Sequence, residues 1–299
     1  MEAHVFETLR QVGRQLDGHA FPRVANGGFV VLSEATVPLT VSTENDDDSK
    51  RERRPSAGSR PRTPGRQGTS RRSRSASDTA PILGTDLQAQ VEVQLSELRW
   101  QYPGTQLWHQ NAGYWLITTS RLLPGLRQAA IFLTGISIPW RMVRSWGFWT
   151  DPIAAPVWIG PRHTNYPDGS VCAFEPKDGT WFLGDPIVKL LDIYSLWAMR
   201  HLYLQTFGKW PGFQAAHHPA ERLSSLRPDE HCGCERSERL YGDCCMPKDL
   251  ARNRIRDALS FYWQSGGSRT PPASITQFVL ERKNPPPLRI IEPDLKQYS

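Results

Sequence analysis

Apolar positions recur along this chain with two periods, and the changes between them mark out the elements. Val5, Leu9, Val12 and Leu16 stand three to four residues apart, the stripe of a short amphipathic helix. They run into residues 27–32, GGFVVL, which read as a strand. Leu87, Val91, Leu95 and Leu98 repeat the helical spacing and stop before the turn sequence Tyr102-Pro103-Gly104. Strand-like runs follow at residues 114–119, 128–134 and 156–160, and a Pro124-Gly125 turn predicts an antiparallel hairpin from the first two. Between them and the third lies SIPWRMVRSWGFW, from Ser137 to Trp149, which reads as aromatic packing with no chemistry of its own. Asp185-Pro186 has the form of an N-cap with Pro at the first helical position. The stripe behind it, Ile187, Leu190, Leu191, Tyr194, Ala198 and Leu202, ends near Gly208. A charged helix is expected at about residues 249–264, and the tail from 265 reads as Pro-rich and extended, with residues 275–280 able to add a strand.

Composition changes this picture in one place. The hydrophobic fraction, 38%, is low for a globular chain, and the deficit is local: residues 43–80 hold no aromatic, Leu, Ile, Val or Met. The same tract carries Lys50 and nine arginines from Arg51 to Arg74, so the net charge of +6 belongs to a segment and not to a folded surface. It reads as a disordered spacer between an N-terminal helix and strand (1–42) and the main body. A nonspecific attraction to polyanions is the functional alternative; with no aromatics to stack on bases, sequence-specific nucleic-acid binding is not expected. No run approaches the ~18 apolar residues of a membrane helix, and the N-terminus lacks a secretory pattern, so a soluble, cytoplasmic protein is expected.

Five cysteines divide into a cluster and a single one. Cys232-Gly-Cys234 and Cys244-Cys245 offer four thiolates in two close pairs, a set suited to a tetrahedral structural zinc site that leaves no open position for water. The run CGCERSERLYGDCC resembles the SEC-C motif, a small zinc-binding element. That resemblance implies Cys232, Cys234, Cys244 and Cys245 as ligands, with His231 as a substitute, in a C-terminal element spanning 228–264. His217 and His218 read as exposed loop residues.

Cys172 stands apart in HTNYPDGSVCAFEPKDGTW, residues 163–181. A thiol there is a soft nucleophile able to carry an acyl group as a thioester. Asn165, across the turn, has an amide to offer a developing oxyanion, and His163 can hold the turn by hydrogen bonds. The plainer alternatives are a buried small cysteine and an Asn that serves its own turn.

The order of these pieces resembles the ubiquitin-conjugating enzymes over about residues 86–219: a helix, a meander of strands, Pro152 with Pro156-Val157, His-x-Asn, Gly-Ser-Val-Cys, Trp181 and a long aromatic helix. It is most similar to the bacterial ubiquitin-conjugating-like proteins of antiphage defence and related conjugation operons. The resemblance implies an α+β fold with an N-terminal helix, an antiparallel meander sheet and C-terminal helices, followed by the zinc-stapled element and a 265–299 tail. It implies that Cys172 carries a ubiquitin-like or other glycine-ended protein as a thioester and passes it to an amine of a target that the chain does not identify. An activating enzyme is an implied partner. Asn165 then matches the oxyanion-stabilising residue, His163 the structural histidine and Trp181 the residue shaping the following loop. Asp178 and Asp185 are candidates for the acid that positions the incoming amine. Two departures bear on Asn165: Thr164 replaces the family's Pro, and the turn to Cys172 is one residue short. Two other classes stand beside this one: a cysteine hydrolase using His163 or a loop His as base, and a non-enzymatic zinc scaffold with a basic arm.

Overall fold

A computed structural model describes residues 2–18, 22–33, 83–139, 141–174, 179–215, 218–234, 239–267 and 269–291. The Arg-rich tract at 43–80, His217 and Asp178 lie outside these residues.

Helix α1 (Ala3–Asp17) buries the predicted Val5, Leu9, Val12 and Leu16 stripe. A small hairpin, β1 (Arg23–Ala25) and β2 (Phe29–Val31), follows it. Helix α2 (Leu83–Gln101) leads into five strands: β3 (Gln106–Gln110), β4 (Gly113–Ser120), β5 (Ala129–Ser137), β6 (Met142–Asp151) and β7 (Ala154–Trp158). They pair in chain order as an antiparallel meander, with Leu116 opposite Thr134 and Phe132 opposite Gly147. Helix α3 (Ile187–Phe207) crosses one face of the sheet, and the chain continues through α4 (Pro219–Ser225), α5 (Met246–Leu250), α6 (Arg254–Ser265) and α7 (Ala273–Glu281) to a 3-10 turn at Leu288–Ile291.

Both faces of the sheet are covered, which is why β4 and β5 are nearly continuous apolar runs and not alternating ones. Tyr114, Leu116, Ala130, Phe132, Ile136 and Trp149 point towards α1, α2 and α3. Residues of the opposite parity, Trp115, Ile117, Ile131, Leu133, Trp146 and Phe148, meet Ile275, Phe278, Val279, Leu288 and Ile291. The C-terminal segment is therefore half of a core. Polar contacts fix it in register: Trp115 Nε1 donates to Pro286 O (2.8 Å), and the Gln110 amide both donates to Pro286 O (2.8 Å) and accepts from Leu288 N (3.0 Å).

Four expectations change. Residues 275–280 belong to a helix and not a strand, because Ile275, Phe278 and Val279 bury one helical face on the sheet. The aromatic stretch 137–149 contains most of β6, and β3 was not foreseen. The single helix expected at 249–264 is two: Asn253 breaks it and caps α6, its side chain accepting from Arg256 N (3.1 Å). Finally, Pro186 occupies the N-cap of α3, and the first free N–H, that of Ile187, is met by Gln94 Oε1 of α2 (2.9 Å). Asp185, expected as the cap, instead accepts from Phe182 N (3.0 Å) within the preceding loop.

Candidate functional site

The chain leaves β7 at Trp158 and folds back on itself over residues 163–172. Thr164 pairs with Val171 across this turn, and Cys172 N donates to His163 O (3.1 Å). Asn165 N donates to Ser170 O (2.7 Å) and Gly169 N to Asn165 O (2.9 Å). Gly169 has φ +64°, and a Cβ there would come within 2.9 Å of the Thr270 backbone and the Trp158 ring, so only glycine fits. Val171 N reaches Ser145 O (2.7 Å), which stitches the turn to β6. Cys172 itself is half-buried and is in no disulfide.

Side chains tie the turn from several directions. Arg144 pairs with the Asp168 carboxylate, whose Oδ1 accepts from Ser170 N (3.1 Å) and Ser170 Oγ (2.8 Å). Two indoles donate to turn carbonyls: Trp146 Nε1 to Asp168 O (2.7 Å) and Trp158 Nε1 to Gly169 O (3.1 Å). From α3, Trp197 Nε1 donates to His163 O (2.7 Å), the same carbonyl that receives Cys172 N. The long helix thus holds the backbone that carries the thiol.

Thr164, standing where the resembled family has Pro, is buried and closes its own bend with Oγ1 on Pro161 O (2.6 Å). Asn165 uses its amide inside the turn: Nδ2 donates to Val171 O (3.0 Å) and Ser170 Oγ (3.2 Å). An oxyanion contact from this amide requires one of those bonds to be exchanged. The His163 ring packs on Trp210 at 3.9 Å between centroids, and its Nε2 meets Gln214 Oε1 at 3.2 Å. Desolvation there, with the Arg162 guanidinium and His201 nearby, holds its pKa well below the ordinary imidazole value, so it is neutral at physiological pH. Trp181 is buried and donates to Pro186 O (3.0 Å), which closes the loop after the cysteine onto the start of α3.

The four clustered cysteines come together as expected. Sγ atoms of Cys232, Cys234, Cys244 and Cys245 all lie within 4.8 Å of one another, with Cys234 to Cys244 at 3.5 Å and Cys244 to Cys245 at 3.9 Å. A metal bound tetrahedrally at ~2.3 Å from each sulfur needs sulfurs roughly 3.8 Å apart, so this donor set fits a metal ion closed off by four thiolates. Gly233, at φ +70°, supplies the bend that turns the first two cysteines inward. His231 lies outside the quartet: its ring packs on Phe213 at 4.5 Å, and its carbonyl accepts from Gln214 Nε2 (2.6 Å).

The cysteine element and the Cys172 turn are joined by a buried ion pair that sequence reasoning missed. Glu230 is fully buried, and Arg162, adjacent to His163, clamps it with Nη1 to Oε1 at 3.0 Å and Nη2 to Oε2 at 2.6 Å. The same carboxylate accepts from Trp210 N (2.7 Å) and Arg227 N (2.9 Å). On the other side of the turn, Arg269 lies 3.8 Å over the Tyr166 ring, pairs with Glu221 (2.6 Å) and donates to Pro161 O (2.8 Å). The charges involved sit in segments far apart in the chain with no local pattern, so only the fold reveals them. No helix among the described residues is long and apolar enough to cross a membrane. No family model, no curated protein and no solved structure matches the chain.

Proposed function

We propose that the chain is a cysteine acyl carrier of the ubiquitin-conjugating type. One observation carries this reading: a half-buried cysteine ends a turn whose backbone is tied to the sheet by Val171 N and to α3 through the His163 carbonyl. A nucleophile that must accept and release a whole protein needs a rigid seat and an open side. In the first step the Cys172 thiolate attacks the thioester carbonyl of an activated glycine-ended protein. A new C–S bond forms, the old one breaks, and the activating enzyme's thiol leaves. In the second, a target amine attacks the Cys172 thioester, loses a proton and expels the Cys172 thiol. His163, neutral and engaged with Gln214 and Trp210, serves the turn in this reading, and a hydrolase that needs it as base gains no support from that placement. The four-cysteine element holds a structural zinc ion.

The test is to incubate the purified chain with a glycine-ended ubiquitin-like protein encoded beside it, together with ATP and its activating enzyme. An adduct that thiols remove is expected from the parent, a thiol-resistant oxyester from Cys172→Ser, and none from Cys172→Ala. A thiol-sensitive adduct on the Cys172→Ala chain refutes the assignment.

A further inference from the structure

Gln214 bonds to both sides of the joint between the Cys172 turn and the cysteine element. The loop that carries it, residues 210–214, is pinned at its middle. Gly212 N donates to Asp17 Oδ1 (2.7 Å), and Gly212, at φ +73°, has no room for a Cβ, which would come within 2.8 Å of Leu16 O. From this support Trp210 packs on the His163 ring and Phe213 on the His231 ring. The Gln214 amide reaches both segments: Oε1 accepts from Arg162 Nη2 (2.6 Å) and stands 3.2 Å from His163 Nε2, and Nε2 donates to His231 O (2.6 Å).

These contacts decide where the His163 proton is. A guanidinium only donates and a peptide carbonyl only accepts, so the Gln214 amide has one orientation, fixed independently at each end. Oε1 therefore faces His163 as an acceptor, and His163 Nε2 must carry the proton. The neutral ring keeps its lone pair on Nδ1. The backbone beneath it is unusual as well: His163 has φ +50°, a conformation that residues other than glycine seldom adopt. In that conformation its carbonyl meets two donors, Cys172 N (3.1 Å) and Trp197 Nε1 (2.7 Å). A ring gripped by Gln214 and Trp210 keeps the residue there.

We infer that Gln214 is a positioning residue for Cys172. By holding the His163 ring in its Nε2–H form it holds the His163 carbonyl under Cys172 N, and by bonding to His231 O it ties that seat to the residue preceding Cys232. Its part in acyl transfer rests on the acyl-carrier reading; its effect on the seat does not.

Two substitutions separate the two ends of the amide. Gln214→Glu still presents an acceptor to Arg162 and His163 but sets oxygen against the His231 carbonyl, whereas Gln214→Met fills the same space with no polar group. A long-range 1H–15N spectrum of histidine-labelled protein, with His163 assigned by its loss in His163→Asn, is expected to show the proton on Nε2 in the parent and in Gln214→Glu. In Gln214→Met it should show exchange between the two tautomers. In that variant the Cys172 amide should exchange with solvent about tenfold faster, and a preloaded Cys172 thioester should discharge to lysine about tenfold more slowly, the worth of roughly one hydrogen bond. Gln214→Glu should stay near the parent in both. The spectrum and the amide exchange are read on the unloaded chain, so a protein that never forms the thioester defeats the acyl-carrier reading while these two still decide the role of Gln214. A parent with the proton on Nδ1, a Gln214→Met chain whose Cys172 amide exchanges or whose thioester discharges at the parent rate, or a Gln214→Glu chain as impaired as Gln214→Met overturns the inference.

Discussion

Replacing Glu230 with Gln removes one charge and almost no volume, and the structure fixes what that costs. The carboxylate is fully buried and receives four donors: two guanidinium nitrogens of Arg162 and the backbone N–H groups of Trp210 and Arg227. A glutamine offers one acceptor oxygen and turns an NH2 group towards donors that have nowhere else to go. Breaking a buried pair by neutralising one partner typically costs ~3–5 kcal/mol. Arg162 keeps Gln214 Oε1 at 2.6 Å and is 12% exposed at its side chain, which argues for the lower end. At ~2 °C or more per kcal/mol for a chain of this size, the melting temperature should fall by about 6 °C or more. The effect should also be local. Arg162 is bonded to His163, whose carbonyl seats Cys172 N, so amide exchange over residues 160–174 should quicken while α1 stays protected. Alkylation of Cys172 should quicken with it. The double variant Arg162→Met with Glu230→Leu should recover only part of the loss: it leaves no buried charge behind, but the N–H groups of Trp210 and Arg227 lose their acceptor. A Glu230→Gln chain that melts with the parent, or whose 160–174 amides exchange unchanged, refutes the coupling.

Deleting residues 268–299 uncovers the sheet face held by Ile275, Phe278, Val279, Leu288 and Ile291. At ~1.5–3 kcal/mol each, that loss is on the order of a domain's whole stability, so an insoluble or strongly ANS-binding product is expected, and a soluble, two-state folding one refutes the account. Phe278→Ala alone should cost about 3–5 kcal/mol in a urea titration. On the proposed zinc assignment, a chelator should speed amide exchange over 228–250, and purified protein with no bound metal would remove that assignment. Burial lowers the His201 pKa to about 3 and holds that of His163 below its ordinary value. The unfolded chain therefore binds more protons below pH ~6.5, and stability should drop by up to ~1.4 kcal/mol per pH unit for each ring as pH falls below that value. Equal urea midpoints at pH 7.5 and 5.5 would count against the buried neutral rings.

Elements with one buried face were legible in the sequence. The stripe of α1 announces itself because solvent on one side keeps the other positions polar, whereas α3, buried nearly all round, was legible from the spacing of its apolar residues and its stop at Gly208. Strand β6 hid because Trp146 and Phe148 face one core and Trp149 the other, so no alternation remains to be read. The segment at 273–281 hid for a related reason: its partner surface lies on strands far back in the chain. The cysteine cluster was legible because its members are neighbours in sequence, with Cys232 two residues from Cys234 and Cys244 adjacent to Cys245. At the Cys172 turn, the turn residues could be named but not what grips them. Arg144, Trp146, Trp158, Trp197 and Arg162 carry no local pattern, and the role of each is to meet one particular carbonyl or carboxylate.

The covering of the second sheet face has a consequence in time. All five strands have been synthesised once Trp158 is made, yet Trp115, Trp146 and Phe148 have no cover until the chain has been extended to Ile291. Gln110 must wait 176 residues for Pro286. During that interval the nascent chain presents an apolar sheet face to everything around it, the condition under which chaperones bind and neighbouring chains aggregate. The seat of Cys172 is completed in the same late step, since Arg269 and Thr270 reach Pro161 and Pro167 from the segment that closes the sheet. A ribosome that stalls before that segment therefore releases a chain with its cysteine made and its turn unbraced.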